Sequence, residues 1–173
     1  MKKIIVIILI LGGVIISCEK DDICVDEAAN TPHLVIEFLS QSPPQIGKDV
    51  PNLLIVGEGN TLSYGIESTR DSILVPLKVL ENNTSFRLIK DYAIDDNGTP
   101  TDTSDDFAVG NEDIVTITYE TEEIYISKAC GFKTIFKNVN FGFTADSDNW
   151  IATTTLLTTT IENENNAHVY IYH

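Results

Sequence analysis

Val115-Thr116-Ile117-Thr118-Tyr119-Glu120 alternates apolar with polar side chains, which puts Val115, Ile117 and Tyr119 on one face of a strand and the threonines and the acid on the other. Outward from it the same period of two recurs in Leu34, Ile36 and Phe38, and again in Ile73, Val75, Leu77 and Val79. Further runs at Asn52 to Val56, Thr84 to Lys90, Glu123 to Ser127, Lys133 to Phe136, Val139 to Phe143, Trp150 to Ile161 and His168 to Tyr172 are rich in β-branched and aromatic residues. No window sustains a helical period. Turn formers separate the runs at Pro43-Pro44, Gly57, Gly59, Asn82-Asn83, Asn97-Gly98, Asn138 and Asn163-Glu164-Asn165-Asn166. Many short strands so punctuated predict an all-β fold, an antiparallel β-sandwich (immunoglobulin-like or related), with a barrel as the alternative. Pro76 has no amide proton to give a ladder, so its strand is expected at an edge or at a bulge.

The 173 residues are 43% apolar and 21% charged, which describes one ordinary globular domain. Acidic side chains outnumber basic ones by 26 to 11, a formal net charge of -15. Such a field repels phosphate, so nucleic acid is excluded as a partner, while divalent or cationic partners would be attracted.

Lys2 and Lys3 precede Ile4 to Ile16, an aliphatic run interrupted by Gly12 and Gly13, and then Ser17-Cys18. The run is shorter than the roughly 20 residues needed to cross a bilayer as a helix, and residues 1–17 read as an export signal. Ile15-Ile16-Ser17-Cys18 resembles a bacterial lipobox, which would make Cys18 the lipid-bearing first residue of the mature chain, anchored by several acyl chains such as palmitate. A plain secretory signal with an incidental cysteine is the competing reading. Cys18-Glu19-Lys20-Asp21-Asp22 is similar to the lipoprotein export signal of the Bacteroidota, or else a solvated polar tether. The expected location is the outer membrane, lipid-anchored, at the cell surface or the periplasmic face. Residues 18–31 are read as a lipidated acidic tether and 32–173 as a single β-sandwich domain. Without residues 1–17 the chain keeps all 26 acids but loses Lys2 and Lys3, so its net charge becomes -17.

With Cys18 lipidated, Cys24 and Cys130 remain as an even pair in an oxidising compartment, and a disulfide between them is expected. The loop closed is about a hundred residues long, for which chain entropy gives an upper figure on the order of 4.7 kcal/mol. Six virtual bonds from Cys18 to Cys24 hold the bridge within roughly 20 Å of the acylated residue. The alternative is that Cys130 is a buried thiol or a nucleophile activated by Lys128 and Lys133.

Thr69-Arg70-Asp71-Ser72-Ile73-Leu74-Val75-Pro76-Leu77, Ile126-Ser127-Lys128-Ala129-Cys130-Gly131-Phe132-Lys133-Thr134-Ile135-Phe136, and the early Cys24 with Thr31-Pro32-His33-Leu34-Val35-Ile36-Glu37-Phe38 resemble a Bacteroidota lipoprotein family, domain of unknown function 6452. The resemblance implies a small, exported, lipid-anchored β domain and brings no activity, cofactor or catalytic residue. The acidic stretch between Lys90 and Phe107 departs from the family pattern.

That stretch, an acidic loop over 93–107, contains five acids within 95–106. Asp95, Asn97, Asp102 and Asp105 offer the closely spaced oxygen donors that calcium needs. Gly98 lies two places early for an EF-hand, and a solvated hairpin loop explains the same composition. Asp146-Ser147-Asp148-Asn149 poses the same choice on a smaller scale. His168, Tyr170 and Tyr172 share a strand face as a polar aromatic patch or an ordinary strand surface, and Trp150 is a sugar platform or core.

Gly-x-Ser-x-Gly, His-Glu-x-x-His and phosphate-loop signatures are absent, so no enzyme is predicted and no cofactor beyond calcium is implied. An exported hydrolase would need two converging carboxylates in a deep pocket. The function expected is a non-enzymatic outer-membrane lipoprotein acting as a structural or binding module, held to the membrane through its N-terminal lipid. It would dock on an outer-membrane protein or an extracellular polymer. The alternative is a calcium-dependent adhesive or glycan-binding module using the loop 95–106.

Overall fold

Alternating burial shapes the first strand: β1 (Leu34–Leu39) buries Leu34, Ile36 and Phe38 and leaves Val35, Glu37 and Leu39 half-buried. The structure is a computed structural model and describes residues 24, 30–60 and 63–173, so the expected signal segment 1–17 and Cys18 lie outside the described residues. Eight more strands follow: β2 (Val50–Gly57), β3 (Ser63–Arg70), β4 (Ser72–Val75), β5 (Asn83–Asp95), β6 (Phe107–Ser127), β7 (Gly131–Phe143), β8 (Thr153–Leu156) and β9 (Val169–Tyr172). No helix occurs among the described residues.

The strands form a sheet of order β4-β1-β9-β8 and a second of order β3-β2-β5-β6-β7. One apolar cluster joins them, with Ile36, Phe38, Val75 and Ile171 from the first and Leu53, Leu88, Ile117 and Phe136 from the second. The fold is an all-β sandwich. Its strand orders differ from the ABED and CFG sheets of immunoglobulin domains, so the sandwich does not have the immunoglobulin strand order.

One pair departs from antiparallel geometry. β1 and β9 run parallel, with Ile36 opposite Val169 and Leu39 opposite Tyr172. Parallel neighbours require a long crossover, and here the chain between Leu39 and Val169 supplies it, so no local turn sets their direction. Val115–Glu120 and Glu123–Ser127 are parts of a single strand of 21 residues, β6. Asn138 lies within β7 at φ 50° and does not end it. β4 is an edge strand and stops just before Pro76, as a residue lacking an N–H requires. The run from Trp150 to Ile161 yields only the four residues of β8; Trp150 and Ile151 are buried in the core, and Ile161 pairs with Phe136 by an isolated bridge.

The β5–β6 ladder extends to Asp95 opposite Phe107, so the acidic loop is 96–106 and Ala93, Ile94, Asp95 and Phe107 belong to strands. The ladder shifts register between Lys90 and Ala93, where Asp91 adopts φ 55°. Gly110 faces this bulge at φ 144°, where a Cβ would lie 3.0 Å from the Lys90 carbonyl oxygen and 2.6 Å from Ile89 Cγ2. Only glycine meets both demands.

The chain divides into two compact units, one of Thr31–Glu122 with Thr134–His173, the other of Glu123–Lys133 with the segment up to Asn30. The sandwich core lies wholly in the first.

Candidate functional site

In the smaller unit, the turn between β6 and β7 is built around cysteine. The Cys130 N–H donates to Ser127 Oγ at 3.1 Å, and Gly131 takes φ 69°, the left-handed conformation that turns the chain into β7. Cys130 is disulfide-bonded to Cys24, with a Cα–Cα distance of 4.9 Å. The sulfur is committed to that bond, so the thiolate needed for a Cys130 nucleophile with Lys128 and Lys133 is not formed. Beside the bridge, the rings of Tyr125 on β6 and Phe132 on β7 meet edge to face with centroids 5.3 Å apart. Both are solvent-exposed, at 57% and 64%. Sequence reading missed this pair, although two aromatic residues flanking a Ser-Lys-Ala-Cys-Gly turn were a signal that they meet across it.

In the larger unit, the acidic loop is held by its own side chains. Asn97 Nδ2 donates to Asp105 Oδ2 at 3.1 Å, and Thr99 Oγ1 donates to Asp105 Oδ1 at 2.9 Å. These two donors hold the Asp105 carboxyl below the usual carboxylate range, the Asn97 amide contributing more. Asp102 accepts from the hydroxyl and the N–H of Ser104, which lower its pKa in the same way. Asp95 Oδ1 accepts the Asn97 N–H at 2.9 Å. The loop therefore brings Asn97 to Asp105 but spends the Asp95 and Asp102 carboxylates on local turns. Among the described residues, no three His, Cys, Asp or Glu side chains gather as a metal ion would need.

The second acidic cluster is a turn pinned to the core. Asp113 is buried on β6 at 0% exposure, where Oδ2 accepts the Ile151 N–H at 2.7 Å and Oδ1 accepts Asn149 Nδ2 at 3.0 Å. Asn149 also accepts the Asp146 N–H and donates to the Thr144 carbonyl. Burial raises the Asp113 pKa, and the charge of Asp146 pushes the same way against the N–H donors. Sequence reading passed over Asp113, yet the alternation that placed Val115 and Ile117 inward places it inward too.

His168 lies in the core at the start of β9. Its Nδ1 accepts the Val35 N–H at 2.9 Å, which requires Nε2 to carry the proton it donates to the Asn163 carbonyl at 2.9 Å. Burial lowers its pKa and keeps the ring neutral. His168 and Tyr172 are buried and Tyr170 is half-buried, so the residues form no open aromatic patch. Trp150 is likewise core, its Nε1 donating to the Leu88 carbonyl at 3.2 Å and its ring 6.1 Å from that of Phe38. A crevice of about 380 Å³ is lined by Leu157, Thr158, Thr160, Glu162, Asn163, Asn166, Ala167 and His168. Glu162 is its single carboxylate, and both imidazole nitrogens of His168 are engaged, so this crevice lacks the acid pair of a glycoside hydrolase.

Fold and site together define an all-β, two-sheet protein whose β6–β7 turn is bonded to its N-terminal segment. The chain belongs to DUF6452, a family of unknown function whose signature matches residues 52–173, a span that includes Cys130 but not Cys24. No curated protein and no solved structure matches the chain.

Proposed function

We propose that this protein is a non-enzymatic lipoprotein of the outer membrane, anchored through Cys18, whose sandwich serves as a structural or binding module toward an outer-membrane protein or an extracellular polymer. The observation that carries the reading is the Cys24–Cys130 bond. A disulfide between two cysteines is suited to an oxidising compartment, which agrees with an export signal over residues 1–17. It also ties the β6–β7 turn to a point six residues beyond the cysteine that would bear the lipid. Polar groups in the core support a scaffold over a catalyst, since Asp113 and His168 have their hydrogen-bonding atoms occupied by backbone and amide groups.

Labelled palmitate supplied to a lipoprotein-processing host should enter the full chain and be absent from Cys18→Ser. Failure of the label to enter the unaltered protein overturns the anchor. Protease shaving of intact cells then assigns the face: cleavage means the cell surface, and protection means the periplasmic side.

A further inference from the structure

We infer that the β6–β7 turn is a membrane-contacting tip, with Tyr125 and Phe132 entering the headgroup boundary of the bilayer and Lys128 facing its anionic groups. The inference deepens the lipoprotein reading and rests on it.

Three observations carry it. Tyr125 and Phe132 form one aromatic surface, in ring contact at 5.3 Å and both more than half exposed, an arrangement that leaves apolar area in water unless something covers it. Lys128 is exposed at the turn between them. Finally, Cys130 in this turn is bonded to Cys24, and the six virtual bonds from Cys18 to Cys24 span at most about 20 Å.

The tether decides between occupants. A lipid on Cys18 brings this turn to within a short reach of the bilayer whatever else the protein binds. A tyrosine ring with its hydroxyl and a lysine with its long alkyl stem settle at the headgroup level, and a phenylalanine ring beside them adds apolar area that buries at the acyl boundary. The Lys128 ammonium is attracted to anionic lipid, whereas the acidic remainder of the chain is repelled by it. The result is a second point of attachment, which restricts how the lipid-anchored chain can swing.

The test uses the acylated full chain carrying Phe132→Trp, inserted in vesicles of phosphatidylethanolamine and phosphatidylglycerol. Trp150 is buried and serves as the internal reference in the unaltered protein. The indole introduced at position 132 should emit to the blue of a water-exposed indole. It should also lose intensity when the lipids are brominated high on their acyl chains, while Trp150 is unaffected by the bromines. Lys128→Glu in the same background should weaken the quenching, more so as the phosphatidylglycerol fraction rises.

Water-like, unquenched emission from protein shown to carry palmitate overturns the tip and leaves the lipoprotein reading intact. Absence of palmitate overturns both. A blue shift that needs no vesicles and grows with protein concentration assigns the aromatic pair to contact between copies of this chain and also overturns the inference.

Discussion

Asp113 accepts the Ile151 N–H at 2.7 Å from inside the sandwich, so a carboxylate with no exposed surface positions the segment that carries Trp150 into the core. Residues 144–152 lie outside the strands, and Asp113 supplies the Ile151 N–H with the acceptor that a neighbouring strand would otherwise give. Asn149 completes the arrangement by spanning Asp113, Asp146 and Thr144.

Asp113→Ala should destabilise the fold by about 2–3 kcal/mol, because it leaves the buried Ile151 amide without an acceptor. Urea titration at neutral pH measures this. The raised carboxyl pKa adds a pH signature. A group protonated more readily in the folded state stabilises fully below its unfolded value of about 3.8, and that contribution fades as pH rises through the folded value. The stability difference between the native protein and Asp113→Asn should therefore shift against the native protein on going upward from pH 4. A difference independent of pH would show that Asp113 titrates normally.

His168 carries the opposite sign. Its folded pKa lies below the ordinary 6.5, so its contribution is complete above that value and is lost as pH falls through the folded one. Protonation of Nδ1 would set a donor against the Val35 N–H. His168→Ala should cost about 1–3 kcal/mol by stranding that N–H and the Asn163 carbonyl, and should flatten the acid limb of the stability curve. Proton resonances of the ring, followed against pH, should titrate below 6.5.

Tyr119, Thr84 and Lys78 close a ring of hydrogen bonds. The Lys78 N–H donates to Thr84 Oγ1 at 3.0 Å, the Thr84 hydroxyl lies 2.6 Å from Tyr119 Oη, and Tyr119 donates to the Lys78 carbonyl at 2.8 Å. Tyr119→Phe and Thr84→Val should each cost about 1–2 kcal/mol, and the double variant less than their sum by roughly 0.5–1 kcal/mol, since either removal breaks the same ring. Full additivity in chemical denaturation would show that the two hydroxyls act separately.

Calcium at millimolar concentration should change neither the melting temperature nor the heat measured by titration calorimetry. Asp95 and Asp102 already serve Asn97 and Ser104, and the loop gathers no cluster of acids around a cation position. A rise in melting temperature that Asp105→Asn removes would show that the loop reorganises around the ion.

Strand placement was legible where one face meets the core: β1, β4 and the middle of β6 follow from alternation alone, because burial on one side imposes a period of two. The long reach of β6 and β7 was not, since Asn138 reads locally as a turn and is absorbed within β7. β3 was missed because Ser63–Arg70 is too polar to stand out as a strand, and pairing with β2 supplies what composition does not.

The acidic loop and the single tryptophan were legible as residue types but not as roles. Whether neighbouring carboxylates converge on an ion or turn back on their own loop depends on side-chain direction, and Asp102 and Asp105 turn back. Trp150 could be read as surface or core until Phe38 and the Leu88 carbonyl were found against it.

By itself the sequence determined the all-strand class and the acidic field, since periodicity and charge are properties of the chain. Tertiary structure alone decided the parallel β1–β9 pairing and the hydrogen bond that joins Asp113 to Ile151. Each joins residues whose separation along the chain carries no local energetic signal until the sheets are assembled.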